Sequence, residues 1–162
     1  MLMSVEEYLK DSSKPNAEYI DGVVRRKSWP TGLHARVQFR VAELLSSQGV
    51  EALAEVTVQL GPAKFFVPDV IADPVIESPY PIEPVKLCVE ILVAEERVGA
   101  FLAKCEEYHA WGVPHCWAID PVKQTAWEYD AQCEPLKVQI DGTLHAGNLS
   151  VRLADLFSPQ PL

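Results

Sequence analysis

Three carboxylates sit inside or beside apolar, strand-like sequence: Glu18 ahead of an Asp21-Gly22 pair, Asp69 in Phe66-Val67-Pro68-Asp69-Val70, and Glu90 in Leu87-Cys88-Val89-Glu90-Ile91-Leu92. Burying a carboxylate without a partner costs several kcal/mol, so Glu90 above all needs a proton, a cation or strong donors. A hard divalent cation answers that need, because Mg²⁺ is commonly held by one or two carboxylates and leaves its other positions to water and a substrate phosphate. The pattern therefore points to metal-assisted phosphate chemistry. The plainer alternative is a pair of strand-edge carboxylates bonded to backbone or solvent, and Pro68 fits an edge or a bulge.

The chain of 162 residues carries a formal charge of −9. Such a chain is repelled by a phosphate field at long range, which excludes a polybasic nucleic-acid module and leaves a local patch or a bridging cation as the route to a nucleic acid. Arg25-Arg26-Lys27 is the basic run where a phosphate backbone could dock, although a solvated strand edge fits it equally. His34, at an expected helix start, suits a phosphate contact or a proton shuttle, or is an ordinary capping imidazole. Cys88, Cys105, Cys116 and Cys133 form no CxxC pair and are expected as reduced, mostly core thiols. No apolar run of membrane-spanning length occurs and the first residues are acidic, so no membrane contact and a cytoplasmic location are expected.

The elements that must position these residues can be read in order. Ser4 and Glu7 form a capping box for a short helix that ends by Lys14-Pro15. Ala17 to Ile20 and Val23 to Trp29 flank the Asp21-Gly22 turn of a hairpin. Thr31 caps a second helix whose Leu33, Val37, Val41, Leu44 and Leu45 share a face, with Gly49 as its terminator. Val50 to Leu60 reads as one half-buried strand and Phe65 to Ala72 as another, followed by a proline-rich loop to Pro84. Lys86 to Ala94 is almost continuously apolar, as a central strand covered on both faces would be. Glu95 to Trp111 reads as a helix with an acidic first turn, ended by Gly112 and Pro114. Strands follow at His115 to Ile119, Gln124 to Tyr129 and Leu136 to Ile140, then an Asp141-Gly142 turn and a closing helix at Leu153 to Phe157. This order predicts a single α/β domain: a mixed β-sheet flanked by helices.

Pro68-Asp69 followed by Glu90-Ile91-Leu92 resembles the signature of PD-(D/E)XK nucleases. The whole chain resembles the Uma-two family of restriction-endonuclease-like proteins. The matching pieces are Glu18-Tyr19-Ile20-Asp21-Gly22, His34, Pro68-Asp69, Val89-Glu90-Ile91-Leu92, Lys104 with Tyr108, Gly112-Val113-Pro114, Trp117-Ala118-Ile119-Asp120-Pro121 and Leu153-Ala154-Asp155-Leu156-Phe157. The parent superfamily has a Lys two residues after the Glu, where this chain has Leu92; the Uma-two pattern places it on the next helix, at Lys104. The resemblance implies a restriction-endonuclease-like fold and an endonuclease that hydrolyses nucleic acid, DNA first, with one or two Mg²⁺ or Mn²⁺ ions. It further implies Asp69, Glu90 and the Ile91 carbonyl as metal ligands. Lys104 would position or activate water, and Glu18 would orient water or a second metal. A homodimer is expected, since two copies would merge their basic runs along a duplex. The alternative is a catalytically silent nuclease fold acting as a binding or assembly module.

Overall fold

The computed structural model describes residues 2–11, 17–28, 30–93 and 97–157. Helix α1 (Val5–Lys10) opens with the expected capping box: Ser4 Oγ accepts from the Glu7 N–H and the Glu7 carboxylate accepts from the Ser4 N–H. The helix stops at Lys10; the expected end at Lys14-Pro15 lies outside the described residues. Strands β1 (Glu18–Ile20) and β2 (Val23–Arg25) form the hairpin, with φ of 47° at Asp21 and 93° at Gly22 as a two-residue turn of this hand requires. The second arm is shorter than read, and Trp29 lies outside the described residues.

Helix α2 (Gly32–Ser46) is capped by the Thr31 hydroxyl and buries His34, Val37, Arg40, Val41 and Leu45. Leu33 and Leu44 are only half-buried.

The next two segments differ from expectation. Val50 to Leu60 is two strands, β3 (Ala52–Ala54) and β4 (Val58–Gly61), and Phe65 to Ala72 is also two, β5 (Lys64–Phe66) and β6 (Val70–Ala72). Glu55 adopts a left-handed φ of 59°, which breaks the first run. At the second break the Val67 N–H donates to Glu18 Oε2 and not to a strand partner, and Pro68 has no N–H to donate. The chain thereby crosses twice between two sheets.

One sheet has the order β2-β1-β5-β4. The larger has the order β10-β9-β8-β7-β6-β3, with β7 (Leu87–Ile91), β8 (His115–Asp120), β9 (Thr125–Asp130) and β10 (Leu136–Val138). Strands β7 and β8 run parallel and the remaining pairs antiparallel, so the sheet is mixed as read. Helix α3 (Val98–Trp111) supplies the crossover from β7 to β8. It begins at Val98, after the extended Arg97, and not at the expected Glu95, which lies outside the described residues, so its first turn carries no acidic residue.

A hairpin of β11 (Thr143–Ala146) and β12 (Leu149–Arg152) adds to the elements read from sequence, and the closing helix is a single 3-10 turn, Leu153–Leu156. Among the described residues no helix is long and apolar enough to cross a membrane.

Strand β7 divides the core. Leu87, Val89 and Ile91 face α2 with Val37, Val41, Leu45, Trp117 and Leu156, whereas Cys88 faces α3 with Ile71, Cys105 and Tyr108. Alternation along the strand puts Glu90 on the α3 side. Cys105 of α3 and Cys116 of β8 are joined by a disulfide, where reduced thiols were expected, because the crossover sets them opposite each other; Cys88 is buried and free, and Cys133 exposed and free.

Helix α3 ends at Gly112, whose φ of 121° and N–H bonds to the Tyr108 and His109 carbonyls turn the chain back to the sheet. A Cβ there would stand 2.8 Å from Pro84 Cγ. Gly112→Ala is expected to destabilise the fold by roughly 1–3 kcal/mol, read as a lower urea midpoint with an unchanged slope.

Candidate active site

Asp69 and Glu90 are brought together by the register of β6 on β7. Val70 pairs with Val89, so the next step along the two antiparallel strands sets Asp69 against Glu90. Both are 1% exposed. Asp69 Oδ2 accepts the Ile91 N–H at 2.7 Å, which ties the two strands at the point where the carboxylates emerge. The backbone of Ile91 is thus part of the site, and its N–H is engaged by Asp69.

Helix α3 presents Lys104 and Tyr108, one turn apart, to the same point. The Tyr108 hydroxyl donates to Glu90 Oε1 at 2.5 Å, and Lys104 Nζ lies 3.0 Å from that oxygen. Lys104 Nζ also donates to Glu18 Oε1 at 2.8 Å and sits 5.4 Å above the Phe66 ring. Glu18 Oε2 accepts the Val67 N–H. Both Glu18 oxygens are therefore occupied in holding Lys104 and the segment that leads into Asp69.

Opposite stands a second ammonium. Lys27 Nζ donates to Asp69 Oδ1 at 2.7 Å and to the Val67 carbonyl at 2.8 Å, and lies 3.6 Å from Glu55 Oε2. His34 Nε2 is 3.4 Å from Asp69 Oδ1. One turn further along α2, Gln38 Nε2 donates to Glu55 Oε1 at 2.8 Å and to the Asp69 carbonyl at 2.9 Å.

The charges are unevenly answered. Burial pushes Glu90 up, and the Asp69 and Glu18 charges add to that against the opposing Lys104 and Lys27, leaving it at about 7. Burial would also raise Asp69, but the His34 hydrogen bond and the Lys27 charge outweigh it and hold this carboxyl at about 2. Lys104 is raised: burial opposes its charge, and Glu90 and Glu18 overcome burial. It is a persistent ammonium, fitted to donate hydrogen bonds and not to take a proton.

Glu18, Lys27, His34, Asp69, Glu90 and Lys104 line a cavity of about 560 Å³, together with Arg25, Arg26, Ser28 and Arg97. Arg25, Arg26 and Arg97 are exposed at its rim. Of the expected nucleic-acid contacts, Arg25 and Arg26 stand at the mouth, whereas Lys27 and His34 are turned inward onto Asp69.

Glu90, with its ionised form disfavoured by burial beside Asp69, marks a place short of positive charge, and an oxygen-lined carboxylate pair is the donor chemistry that Mg²⁺ or Mn²⁺ takes. Among the described residues no three His, Cys, Asp or Glu side chains converge tightly enough to hold an ion unaided. A cation between Asp69 and Glu90 would draw its other oxygens from backbone and water, as Mg²⁺ commonly does.

Sequence reading missed Glu55, Gln38 and Arg97. The first two had a faint signal: Gln38 lies one turn beyond His34 on α2, and Glu55 is a charged residue within an apolar run.

A solved structure from Anabaena variabilis ATCC 29413, described as "a putative nuclease belonging to DUF820", shares the fold with a TM-score of 0.81 at 22% identity, over 96% of this chain and 97% of that one. No curated protein matches the chain. The family model Uma2, described as "Putative restriction endonuclease", matches residues 5–156. That span takes in every strand and helix that frames the cavity, and the chain belongs to the Uma2 family.

Proposed function

We propose that the chain is a divalent-cation-dependent nuclease of the PD-(D/E)XK type that hydrolyses phosphodiester bonds of nucleic acid, with DNA as the first substrate. The observation that carries this reading is the meeting of buried Asp69 and Glu90 with the Lys104 ammonium in one cavity rimmed by arginines. Mg²⁺ or Mn²⁺ held by Asp69, Glu90 and the Ile91 carbonyl would supply Lewis acidity toward a phosphate oxygen and make water a stronger nucleophile at neutral pH.

The protein's own groups do the rest. Lys104 offers N–H donors and a fixed positive charge to the phosphate oxygens, where charge develops during attack. Glu18 keeps that ammonium aimed, since it accepts from Lys104 on one oxygen and anchors Val67 on the other. Tyr108 fixes the carboxylate of Glu90 through Oε1. Arg25, Arg26 and Arg97, which line the same cavity, would hold neighbouring phosphates, as forked donors that suit phosphate geometry. A homodimer fits the same reading, two mouths facing one duplex; a light-scattering mass of a single chain would remove that element.

The test is thermal unfolding of chelator-treated protein across a Mn²⁺ series, followed by a cleavage screen on duplex DNA, single-stranded DNA and RNA. An ion that binds only the folded state must raise the midpoint, by about 2.7 kcal/mol of stability at a hundredfold excess over Kd. The expected result is a rising midpoint for wild type and none for Asp69→Ala, with cleavage of DNA. Unchanged melting together with no cleavage would favour the non-catalytic binding module.

A further inference from the structure

Lys27 departs from the basic run to which it belongs. Its neighbours Arg25 and Arg26 are exposed, whereas the Lys27 side chain is 18% exposed and its Nζ donates to Asp69 Oδ1 at 2.7 Å. An ammonium so placed fills a position that any cation held by that oxygen would need, and two cations cannot share it without strong repulsion.

Beside it stands an acceptor without a donor. Glu55 Oε2 is buried and, among the described residues, has no hydrogen bond, yet it lies only 3.6 Å from Lys27 Nζ. Glu55 Oε1 is held by Gln38, which also holds the Asp69 carbonyl, so both carboxylates are fixed in one frame. Shortening 3.6 Å to a hydrogen bond of about 2.8 Å takes less than an ångström of travel, well within the reach of a four-carbon stem.

We propose that Lys27 is a resident cation that guards Asp69 and passes to Glu55 Oε2 when a divalent ion enters, so that the site loads by exchanging an internal ammonium for an external ion. The inference rests on the metal-site reading above. Lys27 stays paired in both states: with Asp69 before loading and with Glu55 after it. Glu55 and Gln38 are positioning residues for this exchange.

The test is calorimetric titration of Mn²⁺ into wild type, Lys27→Met, Glu55→Gln and the Lys27→Met/Glu55→Gln double variant, with Asp69→Asn as the control and urea unfolding to confirm that each is folded. Removing the competing ammonium should tighten Mn²⁺ binding about tenfold or more, as when a minor binding-competent state becomes the main one. Glu55→Gln should weaken binding where Lys27 is present and leave it unchanged where Lys27 is absent. A general change of electric field would instead give Glu55→Gln the same effect in both backgrounds, and that result would overturn the exchange.

So would a Kd in Lys27→Met equal to or weaker than that of wild type, even though wild type binds and Asp69→Asn does not. Binding in Lys27→Met alone supports the exchange. No binding in either wild type or Lys27→Met overturns both the exchange and the metal-site reading. If Lys27→Met does not fold, Lys27→Gln takes its place in the same cycle.

Discussion

Asp69→Asn and Glu90→Gln are each expected to abolish Mn²⁺-dependent DNA cleavage, by on the order of 10³-fold or more, while leaving a folded protein. Both substitutions keep the shape of the side chain and remove its charge. The amide introduced by Asp69→Asn would still offer one oxygen to the Ile91 N–H, and that introduced by Glu90→Gln one oxygen to the Tyr108 hydroxyl, so the strands and helix stay docked where Asp69 and Glu90 now hold them. What goes is the pair of anionic oxygens that a hard cation needs. Initial cleavage rates on duplex DNA, with circular dichroism as the check on folding, decide the matter. Wild-type rates in either variant would remove that carboxylate from the proposed chemistry.

The second large effect is on stability. Glu90 has a folded pKa of about 7 against an ordinary 4.5, so the folded protein holds this proton more tightly than the unfolded chain does. The sign follows: the contribution is fully present below about pH 4.5, and is lost as pH rises to about 7, after which it levels off. The span corresponds to on the order of 3 kcal/mol in the metal-free protein. Asp69 works at the other end: its carboxyl, lowered from 3.8 to about 2, contributes stability that disappears as pH falls through that interval. Urea unfolding in chelator at pH 5 and pH 8 should show the higher midpoint at pH 5. Glu90→Gln should flatten much of the difference, and an equal slope in that variant would assign it to other groups.

The parts of the fold set by local chemistry are legible in the chain. The Ser4/Glu7 capping box, the Asp21-Gly22 turn, the Thr31 cap and the apolar β7 segment each depend on neighbouring residues, and each forms where the sequence places it. The two long strands that prove to be four depend on something distant. Glu55 and Pro68 carry a faint local signal of the two breaks, but what draws the second strand aside is the Glu18 carboxylate capturing the Val67 N–H from 49 residues away.

The β11–β12 hairpin is a different case. Leu144 and Ala146, then Leu149 and Val151, alternate inward around Gly147, whose φ of 61° makes the turn, so its signal is local and present in the sequence.

In the site, Glu18, Asp69, Glu90 and Lys104 are the residues that sequence singles out, and they do meet. The inward turn of Lys27 cannot be read from a run of three cations, because only the position of Asp69 across the fold draws one of them in.

The ion pair between Glu18 and Lys104 spans 86 residues of sequence, and Lys27 reaches Asp69 across 42. No early portion of the chain contains both ends of the first pair. The Glu18 carboxylate can take the Val67 N–H on one oxygen earlier, but its other oxygen has no ammonium until α3 has formed and packed. A chain cut before α3 therefore lacks the assembled cavity, and the chemistry proposed for it would switch on only when α3 has docked on the sheet.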